Sequence, residues 1–353
     1  MKRHIVCALL ACIASVFATA GQAEPKKSFR IAWTIYVGWM PWHHAAEARI
    51  IDKWARRYGL EIEVVQLNDY IESINQYTAG AFDGVTATNM DALTIPAAGG
   101  VDTTALIIGD FSNGNDGVVL KGSDRLADIR GRDVHLVELS VSHYLLARAL
   151  DSVGLAERDV RVVNVSDADI VSAFFTDEVE AAVTWNPQLG EILGHPQAHL
   201  VFDSSDIPGE IIDLLVVNTR ALEENPDFGR ALVGAWYEIM GVLAREDEAG
   251  AALRAALGKA AGTDRAGYEA QLATTRFFFD PAEAAAFARD PKLIDTMRKV
   301  AAFSFDHGLL GEGARSAEAV GMAFPGGRTL GDAQNIKLRF TDRYMQMAAD
   351  GGL

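Results

Sequence analysis

Cysteine is almost missing from this chain. Cys7 and Cys12 are the only two, and both fall within the first segment. Basic residues are also in deficit, with 32 Lys and Arg against 48 Asp and Glu, a formal net charge of −16. Such a surface disfavours nucleic acid and anionic lipid and favours cations. No stretch after residue 20 is long and apolar enough to span a bilayer. No internal repeat or low-complexity tract breaks the pattern, and G-x-S-x-G with a His and an acid is not evident. A chain of 353 residues has room for about two domains.

The first residues read as an export signal. Lys2 and Arg3 precede an apolar run, Ile5 to Ala20, followed by Gly21-Gln22-Ala23. A basic head, a short apolar core and a small-residue cleavage site make a secretory signal peptide over residues 1–23. The mature chain then starts near Glu24 in the periplasm, without cysteine. Disulfides, thiolate metal sites and a cysteine nucleophile are excluded together. Leu9-Leu10-Ala11-Cys12 weakly resembles a lipoprotein site, but the apolar run continues past Cys12.

What is present is concentrated in Trp33 to Glu47, WTIYVGWMPWHHAAE. Trp33, Tyr36, Trp39 and Trp42 lie between a strand, Phe29 to Trp33, and a helix starting near Pro41. Gly38 and Pro41 break any regular period. Ligands of open α/β sheets bind outside the carboxyl ends of strands, so this aromatic group is a candidate binding wall. The pattern after Trp42 is helical, with Ile50, Trp54 and Tyr58 four apart and Gly59 as the stop. Strands follow at Glu61 to Leu67, Gly84 to Thr88 and Thr103 to Ile108, with a helix capped by Asn68 or Asp69 between the first two. Alternating strands and helices predict a mainly parallel sheet. Asn89 suits a helix cap and Asp91 suits the first turn, and each is equally a candidate ligand contact.

Gly109 to Gly117 is dense in turn residues and reads as a crossing segment that opens a second alternating unit. There Glu138 and Ser142 stand between a strand, Asp133 to Glu138, and a helix, His143 to Val153. Asp116 stands at the crossing. Trp185, followed by Asn186 and Pro187, ends a strand from Ala181. Ile211 to Asn218 reads as a buried strand that crosses back. The remainder reads as helical, ending in a helix from Lys337 to Ala349. This order closes two α/β lobes over one crevice: 24–115 with 219–353, and 116–218.

VGWMPWHHAAE, NDYIESINQYTAGAFDGVTATNMDALTIPAAGG and GDFSNGNDGVVLKG together resemble the periplasmic substrate-binding proteins of ABC importers. The resemblance is to the nitrate/sulfonate/taurine-type group with the NMT1/THI5-like domain, most strongly over residues 29–122. Within that group it is nearest the urea-carboxylase-associated members linked to guanidine use. It implies the type II periplasmic binding protein fold, an α/β fold of two lobes joined by two crossing segments. It also implies a monomer that is not an enzyme, needs no cofactor and passes a small solute to ABC permease subunits, with the cytoplasmic ATPase engaged indirectly. The thiamine-pyrimidine synthases share the fold but need a cysteine-rich iron motif. A periplasmic ligand-sensing role is the other use of such a chain. No metal is expected, because His43 and His44 are neighbours on a helix and do not face one site.

The ligand expected from the residues is a small planar cation, guanidinium or a derivative. Trp39, Trp42 and Trp185 offer π faces. Asp91, Asp116 and Glu138 offer carboxylates that can take a guanidinium through paired hydrogen bonds. Urea, an amine, and a sulfonate or nitrate-type anion are the alternatives. An anion would want a basic residue or free backbone N–H groups, and the nearest basic residues, Arg49 and Lys121, read as solvated.

Overall fold

The computed structural model describes residues 26–353. The signal peptide over 1–23 and the mature start near Glu24 lie outside the described residues. No helix among them is long and apolar enough to cross a membrane.

The strands are β1 Ser28–Trp33, β2 Glu61–Gln66, β3 Gly84–Thr88, β4 Thr103–Ser112, β5 Asp116–Lys121, β6 Asp133–Leu136, β7 Arg161–Asn164 and β8 Ala181–Trp185. They continue with β9 Ala198–Asp203, β10 Ile212–Asn218, β11 Thr275–Phe277, β12 Gly321–Phe324, β13 Arg328–Leu330 and β14 Ile336–Phe340. They form two sheets. The larger runs β13-β12-β14-β4-β10-β3-β1-β2, with β11 beside β4, and the smaller runs β7-β6-β8-β5-β9. The chain leaves the larger sheet between Ser112 and Asp116 and returns between Asp203 and Ile212. The two passages touch: the hydroxyls of Ser112 and Ser204 lie 2.6 Å apart, and Ser112 donates to Asp116 at 2.5 Å.

The expectation of a mainly parallel sheet is corrected at its centre. β1 is parallel to β2 and β3, but β10 lies antiparallel between β3 and β4. A strand arriving from the second unit runs opposite to its neighbours, and it brings Asp213 level with both Asp110 and Thr88. β4 also runs through Ser112, so only residues 113–115 remain of the turn-rich segment. The C-terminal third is likewise not wholly helical. Ile336, Leu338 and Phe340 alternate with Lys337 and Arg339, a strand period, and β14 packs parallel to β4 before the helix Arg343–Ala349.

The helix read from Trp42 to Tyr58 is two helices, Met40–Glu47 and Ile50–Arg57, divided at Arg49 with φ of 56°. The break lets Trp42 face the long helix Pro226–Leu243, where its ring meets that of Trp236 at 5.2 Å. On the same helix a side chain at Gly234 would stand 2.3 Å from Trp54. Only glycine permits the Trp54 ring to lie there and donate to Glu238 at 2.7 Å. Large side chains of this kind, each worth about 1.5–3 kcal/mol when buried, anchor the first helices to the sheet.

Candidate functional site

A cavity of about 20 Å³ lies between the two sheets, lined by Tyr36, Trp39, Tyr70, Thr88, Asp116, Val141, Trp185, Ile211 and Asp213. A single water needs roughly 10–15 Å³ by this measure, so the space suits an occupant of few non-hydrogen atoms. The larger-sheet unit supplies most of the lining. Asp116 and Trp185 come from the smaller sheet, where they are partners across β5 and β8.

The aromatic wall is a chain of edge and face contacts. Tyr36 meets Trp39 edge-on at 4.9 Å, Trp39 stacks with Tyr70 at 5.6 Å, and Tyr70 meets Trp185 edge-on at 5.8 Å. Trp39 Nε1 is buried without a hydrogen-bond partner among the described residues. Gly38 makes room for this arrangement. A Cβ there would lie 2.4 Å from both Asp110 Oδ2 and the Tyr36 ring.

The floor is acidic: Asp116 and Asp213 line it, and Asp91 and Asp110 lie buried behind the lining. Tyr36 Oη lies 2.9 Å from both Asp110 Oδ1 and Asp213 Oδ2. A phenol has one proton, so it can donate to only one of them. The second contact requires a proton on the aspartate pair. Burial, reinforced by the Asp110 charge, raises Asp213 well above the usual carboxyl range, and burial lifts Asp110 to about 7. The Asp110–Asp213 pair therefore tends to share one proton, with the Tyr36 hydroxyl donating to the oxygen left without it. Like charges opposite one another on adjacent strands otherwise repel. Burial also raises Asp116 to about 6, against the pull of the Ser112 hydroxyl.

Asp91 sits behind the wall. Its Oδ2 accepts from Tyr70 Oη at 2.7 Å and from Thr88 Oγ1 at 2.8 Å. Burial raises it to about 6, although the Tyr70, Thr88 and Val141 donors act the other way. No Arg, Lys or His lines the cavity. Arg49 pairs with Asp52, and the Lys121 ammonium donates to the Thr176 carbonyl over the Phe174 ring.

Of the residues chosen from sequence, Tyr36, Trp39, Asp116 and Trp185 line the cavity and Asp91 backs it. The others lie elsewhere. Trp33 is buried in the core, 6.1 Å from the His43 ring, and Trp42 packs on Trp236. Glu138 is exposed on a turn, its amide donating to Asn164. Asn89 is not the helix cap, which is Thr88. The Asn89 amide instead donates to the Glu210 carbonyl at 3.1 Å and accepts from the Ile212 amide at 3.0 Å, so it fastens the returning strand. Asn186 accepts from the Gly190 amide and lines a different cleft. Ser142 is buried beside Val141, with no hydroxyl partner among the described residues. Sequence reading missed Tyr70, Thr88, Asp110 and Asp213. The available signal for the last two was an acid inside each of two apolar strands, TALIIGDF and IIDLLVV.

Two sheets linked by two adjacent crossings, with a cavity between them, define the type II periplasmic binding protein fold. The alkanesulfonate-binding protein of Xanthomonas axonopodis pv. citri, solved bound to MOPS, superposes with a TM-score of 0.66 at 18% identity, over 82% of this chain and 96% of that one. The periplasmic nitrate-binding protein of Synechocystis gives 0.67 at 11% identity, over 92% and 89%. Residues 53–238 match the NMT1/THI5 like family, and the chain belongs to it. A binding protein of Brucella abortus is 27% identical over 151 residues, 42% of this chain and 46% of the relative. The chain thus spans about half the length of the curated relatives it matches.

Proposed function

We propose that this chain is the solute-binding component of an ABC importer, exported to the periplasm, and that it captures a small planar nitrogenous cation, guanidinium or a close derivative. Units 24–115 with 219–353 and 116–218 act as the lobes, closing over the ligand before delivery to the permease. The observation that carries the ligand assignment is the set of four buried aspartates beside an aromatic arc with no basic residue in the lining. A bound guanidinium supplies the missing countercharge, gains roughly 0.5–2 kcal/mol over a ring face, and can hydrogen-bond a carboxylate in parallel pairs. Structural neighbours are named for sulfonates and nitrate. An anion here would face uncompensated carboxylates, which speaks against those ligands. This supports reading the chain with the guanidine-associated members of its family.

Urea is the second reading. Asp213 and Asp110 carry raised affinities for protons, and a protonated pair would spare a neutral ligand the cost of an unpaired buried charge. Calorimetry on the mature protein with guanidinium, urea, nitrate and taurine separates these. Guanidinium binding at least tenfold tighter than urea is expected. Nitrate or taurine binding with guanidinium silent would overturn the cation reading.

A further inference from the structure

We propose that His143, Glu157 and His307 form a binding site for one divalent transition-metal cation of the zinc type, which ties the two α/β units together away from the ligand cavity. The residues are far apart in sequence. His143 lies in the helix Val141–Ser152 and Glu157 in the single turn Glu157–Asp159, both of the smaller-sheet unit. His307 ends the helix Pro291–Asp306 of the larger-sheet unit. One donor atom from each falls within 4.8 Å of the other two.

The spacing is close to what a metal requires. Donors around a tetrahedral ion, bonded at about 2.0–2.1 Å, stand roughly 3.3 Å apart. His143 Nε2 and Glu157 Oε2 are already 3.4 Å apart. His307 Nε2 is 2.7 Å from Glu157 Oε1 and must withdraw slightly. Glu157 and His307 are only part-buried, so both side chains can make that adjustment.

Each ring shows a feature that points to a ligand. His143 is buried, yet its Nε2 has no properly aligned hydrogen bond among the described residues, an arrangement that native interiors avoid. The His307 Nδ1 lies 2.7 Å from the Phe303 carbonyl, and its ring stacks on that of Phe303 at 4.0 Å. Donation from Nδ1 to a backbone carbonyl is how ligating histidines are held with Nε2 facing the ion. His143 is held differently, since its Nδ1 accepts from the Leu139 amide at 3.2 Å. Metal loading moves the ring proton from Nε2 to Nδ1 and releases that amide to solvent, which the exposed turn at Leu139 permits. Any proton on His307 Nε2 leaves to solvent.

Two imidazoles and one carboxylate suit zinc, nickel or copper rather than magnesium or calcium. An open cleft lined by Arg148, Asp151, Lys299, Asp306 and His307 gives solvent access and room for water in a fourth position. Because Val141, on the same helix as His143, lines the ligand cavity, loading the seam favours one arrangement of the units and is coupled reciprocally to ligand binding.

Equilibrium dialysis and calorimetry of the mature chain with ZnCl2 at pH 7.5 test this. One zinc per chain is expected, with affinity at least tenfold weaker in His307→Gln and in Glu157→Gln. Calcium should not compete. Asp116→Asn keeps the site, because it alters only the ligand cavity. Cobalt(II) gives a second readout, an intense visible band expected of four-coordinate sites and lost in His143→Gln. Absence of stoichiometric zinc, or zinc lost in Asp116→Asn but retained in His307→Gln, overturns the proposal.

Discussion

Acidic side chains meet the seam between the units in two places, and the protein treats them in opposite ways. Beside the seam histidines, Glu157 is attracted by His143 and His307 and held down at about 2. Nearby Glu210 is also lowered: burial pushes it up, but Arg148 at 2.9 Å, Lys299 and the Tyr144 hydroxyl outweigh that. Across the cavity, Asp91, Asp110, Asp116 and Asp213 have hydroxyl donors and no cation, and all are pushed up. Where acids secure the structure, the chain supplies countercharge. Where it withholds countercharge from four buried acids, the proposed cation would supply it. Perturbed groups of this kind cluster at functional sites.

The sharpest break of that contrast is to remove a cavity acid. Asp213→Asn and Asp116→Asn, at the two acids that line the cavity, should each weaken guanidinium by about 2–4 kcal/mol, roughly 30- to 1000-fold, as expected when one partner of a buried charge pair is lost. The same variants should melt higher than wild type without ligand, because one buried repulsion is gone. Calorimetry and thermal melts read the two effects separately. Equal guanidinium affinity in both variants would place the cation elsewhere.

Acidification tests the contrast without mutation. The cavity aspartates have folded pKa values above the unfolded 3.8, so their relative stabilisation is complete below that value and is lost as pH rises through about 6–7. The ligand-free protein should therefore melt higher at pH 5.5 than at 7.5. Glu157 has the opposite sign: its contribution is present above about 4.5 and lost as pH falls toward 2, so it is silent in this window. Guanidinium stays protonated throughout, so its affinity should fall on acidification, up to tenfold per pH unit for each proton that must leave. A melting curve that is flat or reversed between pH 7.5 and 5.5 would contradict the raised values.

The aromatic wall should matter less than its floor. Trp39→Ala and Trp185→Ala remove ring faces worth about 0.5–2 kcal/mol toward a cation, predicting roughly a 2- to 30-fold loss of guanidinium affinity. Trp42→Ala should instead lower the melting temperature. Its packing on Trp236 is worth about 3–5 kcal/mol when deleted from a core, and ligand affinity should change little in whatever remains folded.

Much of this was legible because it is local. The motif around Gly38 marked the wall, and Asp116 and Trp185 announced themselves beside turn residues at strand ends. What was not legible depends on strand order. Trp33 and Trp42 share the wall's sequence, but helix phase turns Trp42 toward Trp236. Asp110 and Asp213 become one site only when β10 enters antiparallel beside β4, and no window of sequence holds both. Asn89 read equally as a cap and as a ligand contact because nothing local shows that Glu210 and Ile212 pass within hydrogen-bonding distance of it.

The smallest expected effect concerns Glu138, the one acid that sequence placed in the crevice and the fold leaves on an exposed turn. At this position a charge is solvated and screened within about 8–10 Å at ordinary salt, and the side chain is absent from the cavity lining. Glu138→Gln should therefore change guanidinium affinity by less than about twofold at 0.15 M salt, within the modest scale of exposed charge effects. Lowering the salt should enlarge any residual difference, because long-range attraction acts on the rate of encounter. Stopped-flow association at two ionic strengths, paired with calorimetry, measures both. A loss as large as that of Asp213→Asn would mean that closure carries Glu138 into contact with the ligand, and would make the exposed turn part of the site.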